Sequence, residues 1–239
     1  MFEEAARILR TSKSVFVLTG AGISAESGVP TFRGAGGLWK NYRAEELATP
    51  EAFRSNPQLV WEWYHWRQSL ILKTEPNAGH RAIAELERLF PDFLLLTQNV
   101  DDLHRKAGSQ KMLELHGNIF RARCTACDQR IFHELQPEMP TCSCGALLRP
   151  DIVWFGEMIP QDAWEESIRF INKADTVLVV GTSAVVYPAA AIPELARSTN
   201  AKVIEINIEP TMISNSVDIS LVGKAGEILP KIVCLLESQ

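Results

Sequence analysis

The sequence predicts an α/β protein, a parallel sheet covered by helices on both faces and interrupted by two inserted segments. Three observations carry this. Short, near-continuous apolar runs of strand character alternate with longer stretches of helical period. The runs carry few polar positions, as strands buried on both faces do. Polar clusters recur directly after the runs, at the carboxyl ends where open α/β sheets bind ligands.

The strands are expected at Val15 to Thr19, Phe93 to Thr97, Met112 to Leu115, Thr176 to Val180, Lys202 to Ile206 and Ile219 to Val222. Helices are expected at Glu3 to Arg10, Pro57 to Lys73, Asn77 to Leu89, Asp162 to Lys173, Ala189 to Ser198 and Ala225 to Leu236. The segment from Gly34 to about Glu75 holds too many residues for a simple crossover and includes a Trp-rich helix. The segment from Ile119 to about Pro150 holds clustered cysteines and is rich in Pro, Gly and polar residues. Both are expected to pack together as a small second domain.

Composition narrows the class. With 46% hydrophobic and 22% charged residues among 239, the chain is neither disordered nor fibrous and is long enough to bury a sizeable core. A net charge of −5, without basic runs or basic-aromatic interleaving, argues against direct nucleic-acid binding. No apolar run reaches the ~20 residues of a membrane helix, and with charged Glu3, Glu4, Arg7 and Arg10 in the opening stretch no signal peptide is expected. A cytoplasmic protein with no membrane partner is the expectation.

After the first strand, Gly20-Ala21-Gly22-Ile23-Ser24-Ala25 matches G-x-G-x-x-A, which lets a backbone approach a pyrophosphate at a helix N-terminus. A ligand-free Gly-rich turn reads the same. A dehydrogenase would place a ribose-binding acidic residue about twenty positions on, at the end of a second strand. No strand is expected near Tyr42 to Glu46, and the loop runs on through Thr31-Phe32-Arg33-Gly34, which looks like a lid over a reacting nucleotide. Hydride transfer is therefore disfavoured. The second strand ends in Gln98-Asn99-Val100-Asp101, suited to a ribose or a carboxamide. The third ends in His116-Gly117, where a neutral imidazole is a natural general base. His65, His80, His104 and His133 compete on spacing alone, and strand-end position favours His116. Gly181-Thr182-Ser183 and Asn207-Ile208-Glu209 follow the next two strands and suit a phosphate and a ribose, although ordinary turn chemistry would also place them there.

Cys124-x-x-Cys127 and Cys142-x-Cys144 bring four thiols together across a short loop, the pattern of a closed structural zinc site. Two disulfides or a redox pair are the alternatives. Cys234, alone in an apolar helical run, is expected to be buried.

Taken together, GAGISAESGVPTFRG (Gly20 to Gly34), TQNVDDLHRKAG (Thr97 to Gly108), ELHG, the cysteine module, IVWFGE (Ile152 to Glu157) and GTSAVVYP (Gly181 to Pro188) resemble the sirtuins, NAD-dependent protein lysine deacylases. The resemblance spans nearly the whole chain. It implies a Rossmann-type domain (1–34, 76–118 and 151–239) and a small domain of a helical and a zinc module (35–75 and 119–150), with NAD and an acyl-lysine peptide meeting between them. It places Gly20, Ala21, Gly22, Ala25, Thr31, Phe32 and Arg33 in the NAD loop, Gln98, Asn99 and Asp101 around nicotinamide and its ribose, and Gly181, Thr182, Ser183, Asn207, Glu209 and Ala225 around the phosphates and adenosine. His116 matches the family's general base, and Val153, Phe155, Gly156 and Glu157 match the loop that pairs with substrate backbone.

The implied products are free lysine, nicotinamide and O-acyl-ADP-ribose. Tyr64 and Arg67, three apart on one helix face, match the Tyr-x-x-Arg pair of the class III sirtuins, associated with succinyl-, malonyl- and glutaryl-lysine. A solvated Arg packed on an aromatic helix is the bland alternative. The second cysteine pair departs from the family's usual C-x-x-C. Rival functions are simple deacetylation, mono-ADP-ribosyl transfer or NAD hydrolysis, and a non-enzymatic NAD-sensing zinc module.

Overall fold

In the computed structural model, residues 1–30, 38–40, 42–133 and 139–238 are described. The chain opens with α1 (Phe2–Thr11), β1 (Ser14–Thr19) and α2 (Ala21–Ala25). Contrary to the expectation of no strand near Tyr42, a two-stranded hairpin, β2 (Leu38–Trp39) and β3 (Tyr42–Arg43), forms there, separate from the main sheet, and leads into α3 (Ala44–Leu47), α4 (Pro50–Ser55) and α5 (Pro57–Ile71). Then come α6 (Ala78–Leu89), β4 (Asp92–Thr97), α7 (Leu103–Lys106) and β5 (Met112–Glu114). A small sheet follows from β6 (Gly117–Cys124), β7 (Arg130–Phe132) and β8 (Leu148–Ile152). The last stretch holds α8 (Gln161–Ile171), β9 (Thr176–Val180), a 3-10 turn at Ala189–Ala191, α9 (Ile192–Ser198), β10 (Lys202–Asn207), β11 (Ile219–Val222) and α10 (Ala225–Glu237). Among the described residues no helix is long and apolar enough to cross a membrane.

All six expected strands form one parallel sheet in the order β11-β10-β9-β1-β4-β5. Their side chains alternate between two cores. Val15, Val17, Leu178 and Ile204 face α1, α6 and α10, while Phe16, Leu18, Val177 and Val203 face α8 and α9. The expected helix at Ala189 to Ser198 divides in two, with Pro193 in the first turn of α9, where its missing N–H costs no bond. Cys234 is exposed rather than buried, because its neighbours Ile232 and Val233 supply the α10 face that meets the sheet.

A third core unites the two insertions. Trp61, Trp63 and Tyr64 of α5 pack with Ile119, Ala122, Leu148 and Ile152 of the small sheet. Two buried hydrogen bonds tie the parts: Trp61 Nε1 donates to the Leu148 carbonyl at 2.9 Å, and Gln68 Nε2 to the Ile119 carbonyl at 2.6 Å. The cysteine-rich segment, in which no strand was expected, thus supplies an antiparallel sheet ordered β7-β6-β8.

Candidate active site

The main sheet reverses its strand order at β1, which has β4 on one side and β9 on the other. Ligand crevices form outside carboxyl strand ends at such a point, and the glycines there explain how the walls approach. A Cβ on Gly22 would lie 2.7 Å from the Gly181 carbonyl oxygen, and one on Gly181, at φ +59°, would lie 2.4 Å from the Ile23 nitrogen. Gly22 N–H donates to that carbonyl at 2.7 Å. The Gly-x-Gly motif therefore joins the β1 and β9 loops by direct backbone contact.

Beside this junction lies a cavity of about 1540 Å³, bounded by carboxyl strand ends of the main sheet and by α5 and the Val153 to Glu157 loop. Nearly every expected site residue lines it. Gly20, Ala21, Gly22 and Ala25 form one stretch; Gly181, Thr182, Ser183, Asn207, Glu209 and Ala225 a second; Gln98, Asn99, Asp101 and His116 a third. Arg67, Val153, Phe155, Gly156 and Glu157 complete the far wall. Tyr64 is not part of this lining, and Thr31, Phe32 and Arg33 fall outside the described residues.

Polar side chains at the strand ends hold one another in fixed orientations. Gln98 Nε2 donates to Thr182 Oγ1 at 3.2 Å, linking β4 to β9 across β1. Asn99 Nδ2 donates to the Gly20 carbonyl at 3.0 Å and to Ser24 Oγ at 2.9 Å. Asn207 Nδ2 reaches the Thr182 carbonyl at 3.3 Å. Asp101 is 4% exposed; burial raises its pKa, opposed by hydrogen bonds from Ser24 and the Leu103 N–H.

Behind Ser24 stands His80, whose Nδ1 accepts from the Asn77 N–H at 3.3 Å. Burial, with Arg81 adding repulsion, lowers its pKa to about 4, so the ring is neutral and Nε2 carries the proton. It donates to Ser24 Oγ at 3.3 Å, and Ser24 in turn donates to Asp101. Asn77 caps α6 and also donates to the Ile23 carbonyl at 2.7 Å. Ser24 and Asn77 were missed by sequence reasoning, since a motif-internal Ser and a helix-capping Asn carry no distinctive signal.

His116 is the one histidine lining the cavity among the described residues. Its Nδ1 lies 3.0 Å from the Gln98 carbonyl, an acceptor only, so Nδ1 bears the proton and Nε2 the free lone pair. Burial lowers its pKa, partly countered by that hydrogen bond, leaving a neutral base at pH 7. The competing histidines do not line the cavity. His80 and His104 pack edge to face at 4.8 Å, and His65 Nε2 meets His133 Nε2 at 3.1 Å.

The Val153 to Glu157 loop, expected to pair with substrate backbone, differs in detail from that expectation. The N–H groups of Val153 and Phe155 donate to His116 and Ala48 carbonyls at 3.0 Å, so these two donors fix the loop to the protein. The Glu157 carboxylate accepts from Arg149 at 2.5 and 2.9 Å and from the Trp154 N–H at 2.9 Å. Its chief partner is thus Arg149, and it shapes the loop. Arg67 is 8% exposed, which removes the solvated alternative; its guanidinium lies 5.5 Å from the Trp63 ring centre, and burial lowers its pKa.

The four clustered cysteines place their sulfurs within 4.8 Å of one another. Cys124 and Cys144 are 3.5 Å apart and Cys127 and Cys142 3.7 Å, well beyond the about 2.05 Å of a disulfide. Zinc bound at about 2.3 Å in a tetrahedron needs sulfur separations of about 3.8 Å, so the donor set fits that ion. Backbone N–H groups of Ala126 and Cys127 point at Cys124 Sγ at 3.4 and 3.5 Å and lower its pKa to about 6.

Fold and site define the class: an α/β protein with a crevice at the carboxyl strand ends suited to a nucleotide, and a neutral imidazole in its wall. The Sir2 family model matches residues 20–188. An NAD-dependent protein deacylase of Thermococcus kodakarensis is 54% identical over 243 residues, covering 98% of this chain and 95% of that protein. One from Pyrococcus furiosus is 54% identical over 242 residues, covering 98% and 97%. A crystal structure of a Sir2 homolog–NAD complex superposes with TM-score 0.93 at 47% identity, covering 98% of this chain and 93% of that one. A Sir2–p53 peptide–NAD+ structure gives 0.88 at 33%, covering 97% of each. The chain belongs to the Sir2 family.

Proposed function

We propose that the protein is an NAD-dependent lysine deacylase that removes dicarboxylic acyl groups, succinyl or malonyl, as well as acetyl. The observation that carries the acyl preference is a buried Arg67 guanidinium in the wall of the cavity that also holds His116. Ile71, one turn further along α5, lines the same cavity and offers no competing charge. A buried cation facing a cavity is complementary to an anionic acyl terminus.

The crevice fits a dinucleotide by volume and by its fixed amides, hydroxyls and backbone groups at the strand ends. NAD, when bound, supplies the ADP-ribosyl group that takes the acyl chain as nicotinamide leaves. Gln98, Asn99 and Asp101, held by Thr182, Gly20 and Ser24, orient the reacting half. His116 Nε2 takes up the proton of a hydroxyl as it becomes nucleophilic, and the Gln98 carbonyl stabilises the imidazolium through Nδ1. Zinc would be held by Cys124, Cys127, Cys142 and Cys144 and supplies a covalent clasp to the small sheet. The acyl-lysine peptide approaches along the Val153 to Gly156 loop. A cytoplasmic location, and the division into a Rossmann-type domain and a two-module small domain, belong to the same proposal.

The test uses acetyl- and succinyl-lysine versions of one peptide with NAD, on wild type and Arg67→Met. Losing a charge-assisted contact lowers the succinyl-to-acetyl ratio of kcat/KM by about 10- to 100-fold. If acetyl removal dominates and the ratio does not move, the preference is wrong.

A further inference from the structure

Glu205 is a charged side chain at an apolar position. On β10 it shares a sheet face with Val203, whose core lies under α8 and α9, and it is 1% exposed. Its carboxylate accepts from three hydroxyls: Thr211 Oγ1, Ser214 Oγ at 2.5 Å and Ser220 Oγ at 2.7 Å. Lys202, at the start of the same strand, pairs with Asp218 instead. A carboxylate has no proton to give, so all three hydroxyls donate to it, and these donors are what makes a buried charge tenable there.

Thr211 and Ser214 belong to the segment between β10 and β11, and Ser220 to β11. Thr211 Oγ1 also accepts from the Ile213 N–H at 3.3 Å, and Ser214 Oγ from the Thr211 N–H at 2.8 Å, so each hydroxyl couples the carboxylate to the loop backbone. Residues Asn207 to Met212 line the cavity, whereas Glu205, Ser214 and Ser220 do not. The loop is thus shaped from behind. His116 follows β5 at one edge of the sheet, and Asn207 ends β10, four strands away, about 19 Å at the usual strand spacing. The base marks the reacting end of a bound dinucleotide, and the loop tied to Glu205 lines the opposite end.

We infer that Glu205 is a positioning residue for the adenosine half of NAD: its carboxylate holds the Asn207 to Met212 wall in the shape that this half binds. The inference rests on the reading of the crevice as an NAD site with His116 at the reacting end. A loop that takes the competent shape only part of the time binds with an affinity reduced by that fraction. Chemistry at the far end is unaffected once the site is full.

The experiment uses the full chain, with ADP-ribose binding measured by calorimetry beside steady-state deacylation of an acetyl-lysine peptide. Glu205→Gln keeps the shape but offers one acceptor oxygen to three hydroxyls; Ser214→Ala removes one of the donors. Each raises the ADP-ribose Kd and the KM for NAD about three- to tenfold, with kcat at saturating NAD and the KM for peptide little changed. Amide hydrogen exchange over residues 208–216 quickens in the free variants and returns to the wild-type rate at saturating ADP-ribose. An unchanged ADP-ribose Kd, or a comparable loss in kcat and in peptide KM, overturns the inference and leaves Glu205 as a fold-stabilising residue. Should Glu205→Gln fail to fold, Ser214→Ala decides by the same measure. Asn207→Ala separates the two levels. If it leaves the ADP-ribose Kd unmoved, the placement of the adenosine half falls; if it raises that Kd while Glu205→Gln and Ser214→Ala do not, only the positioning role falls.

Discussion

Glu157→Gln tests whether the Val153 to Glu157 loop is held from within. The Glu157 carboxylate collects three N–H donors, two from Arg149 at 2.5 and 2.9 Å and one from the Trp154 backbone at 2.9 Å. Glutamine keeps the shape but offers one carbonyl oxygen and an NH2, so at least one Arg149 N–H then faces another donor. Hydrogen bonds to charged groups contribute about 1.5–3 kcal/mol each, and breaking a fully buried pair costs about 3–5 kcal/mol. The two side chains are 10% and 21% exposed, which places the expected loss below that upper range, at about 2–3 kcal/mol. Urea denaturation at pH 7 measures it.

The pH dependence has a definite sign. Burial pushes the Glu157 carboxyl up, but the Arg149 fork and the Trp154 N–H outweigh it and hold the pKa below the usual carboxylate range. Its contribution is therefore present at neutral pH and lost as pH falls through that lowered pKa, and the gap between wild type and variant closes there. Unchanged stability with a large rise in peptide KM would refute the reasoning and return Glu157 to a direct substrate contact.

Two further outcomes follow from the site. Because burial lowers the His116 pKa, deacylation is flat above pH 7 and declines only at pH values below the ordinary 6.5 of histidine; an acid limb centred above pH 7 would contradict this. Metal analysis of the native protein finds one zinc per chain, and Cys127→Ser reduces it and lowers the unfolding temperature; a metal-free native protein of full stability would refute the zinc site.

The main sheet was legible because its strands are buried on both faces and so read as unbroken apolar runs. The small sheet was not, for a physical reason visible in β8. Its sequence, Leu148-Arg149-Pro150-Asp151-Ile152, has the composition of a turn, yet it is buried throughout. Pro150 is tolerated because β8 is an edge strand of the β7-β6-β8 order. The charges are tolerated because each has a partner from another segment: Arg149 pairs with Glu157, and Asp151 with Arg121 at 3.0 Å and Arg130 at 3.3 Å. The Asp151 pairs are distant in sequence and the Arg149 pair depends on the fold of the following loop, so local composition does not register them. The site divides in the same way. His116 and the strand-end amides were found from position alone, whereas Ser24 and Asn77 act through contacts with Asp101 and Ile23 that only the folded chain creates.

The placement of His116 suits the proposed acid–base chemistry rather than hydride transfer. A dehydrogenase uses the strand after its Gly-rich turn to hold the adenosine ribose. Here the chain leaves α2 for the insertion and returns as β4, and the residues leaving β4 and β5 are Gln98, Asn99, Asp101 and His116. The Gln98 carbonyl holds His116 Nδ1 while the Gln98 side chain spans to Thr182, so one residue fixes both the tautomer of the base and the width of the crevice. The insertion supplies Arg67 to the same cavity from α5, a helix bonded to the small sheet through Trp61 and Gln68. The proposed base thus comes from the end of a main-sheet strand, and the proposed acyl-recognising cation from a helix of the insertion. Changes in the small unit can therefore alter acyl preference while leaving the base and its carbonyl partner in place.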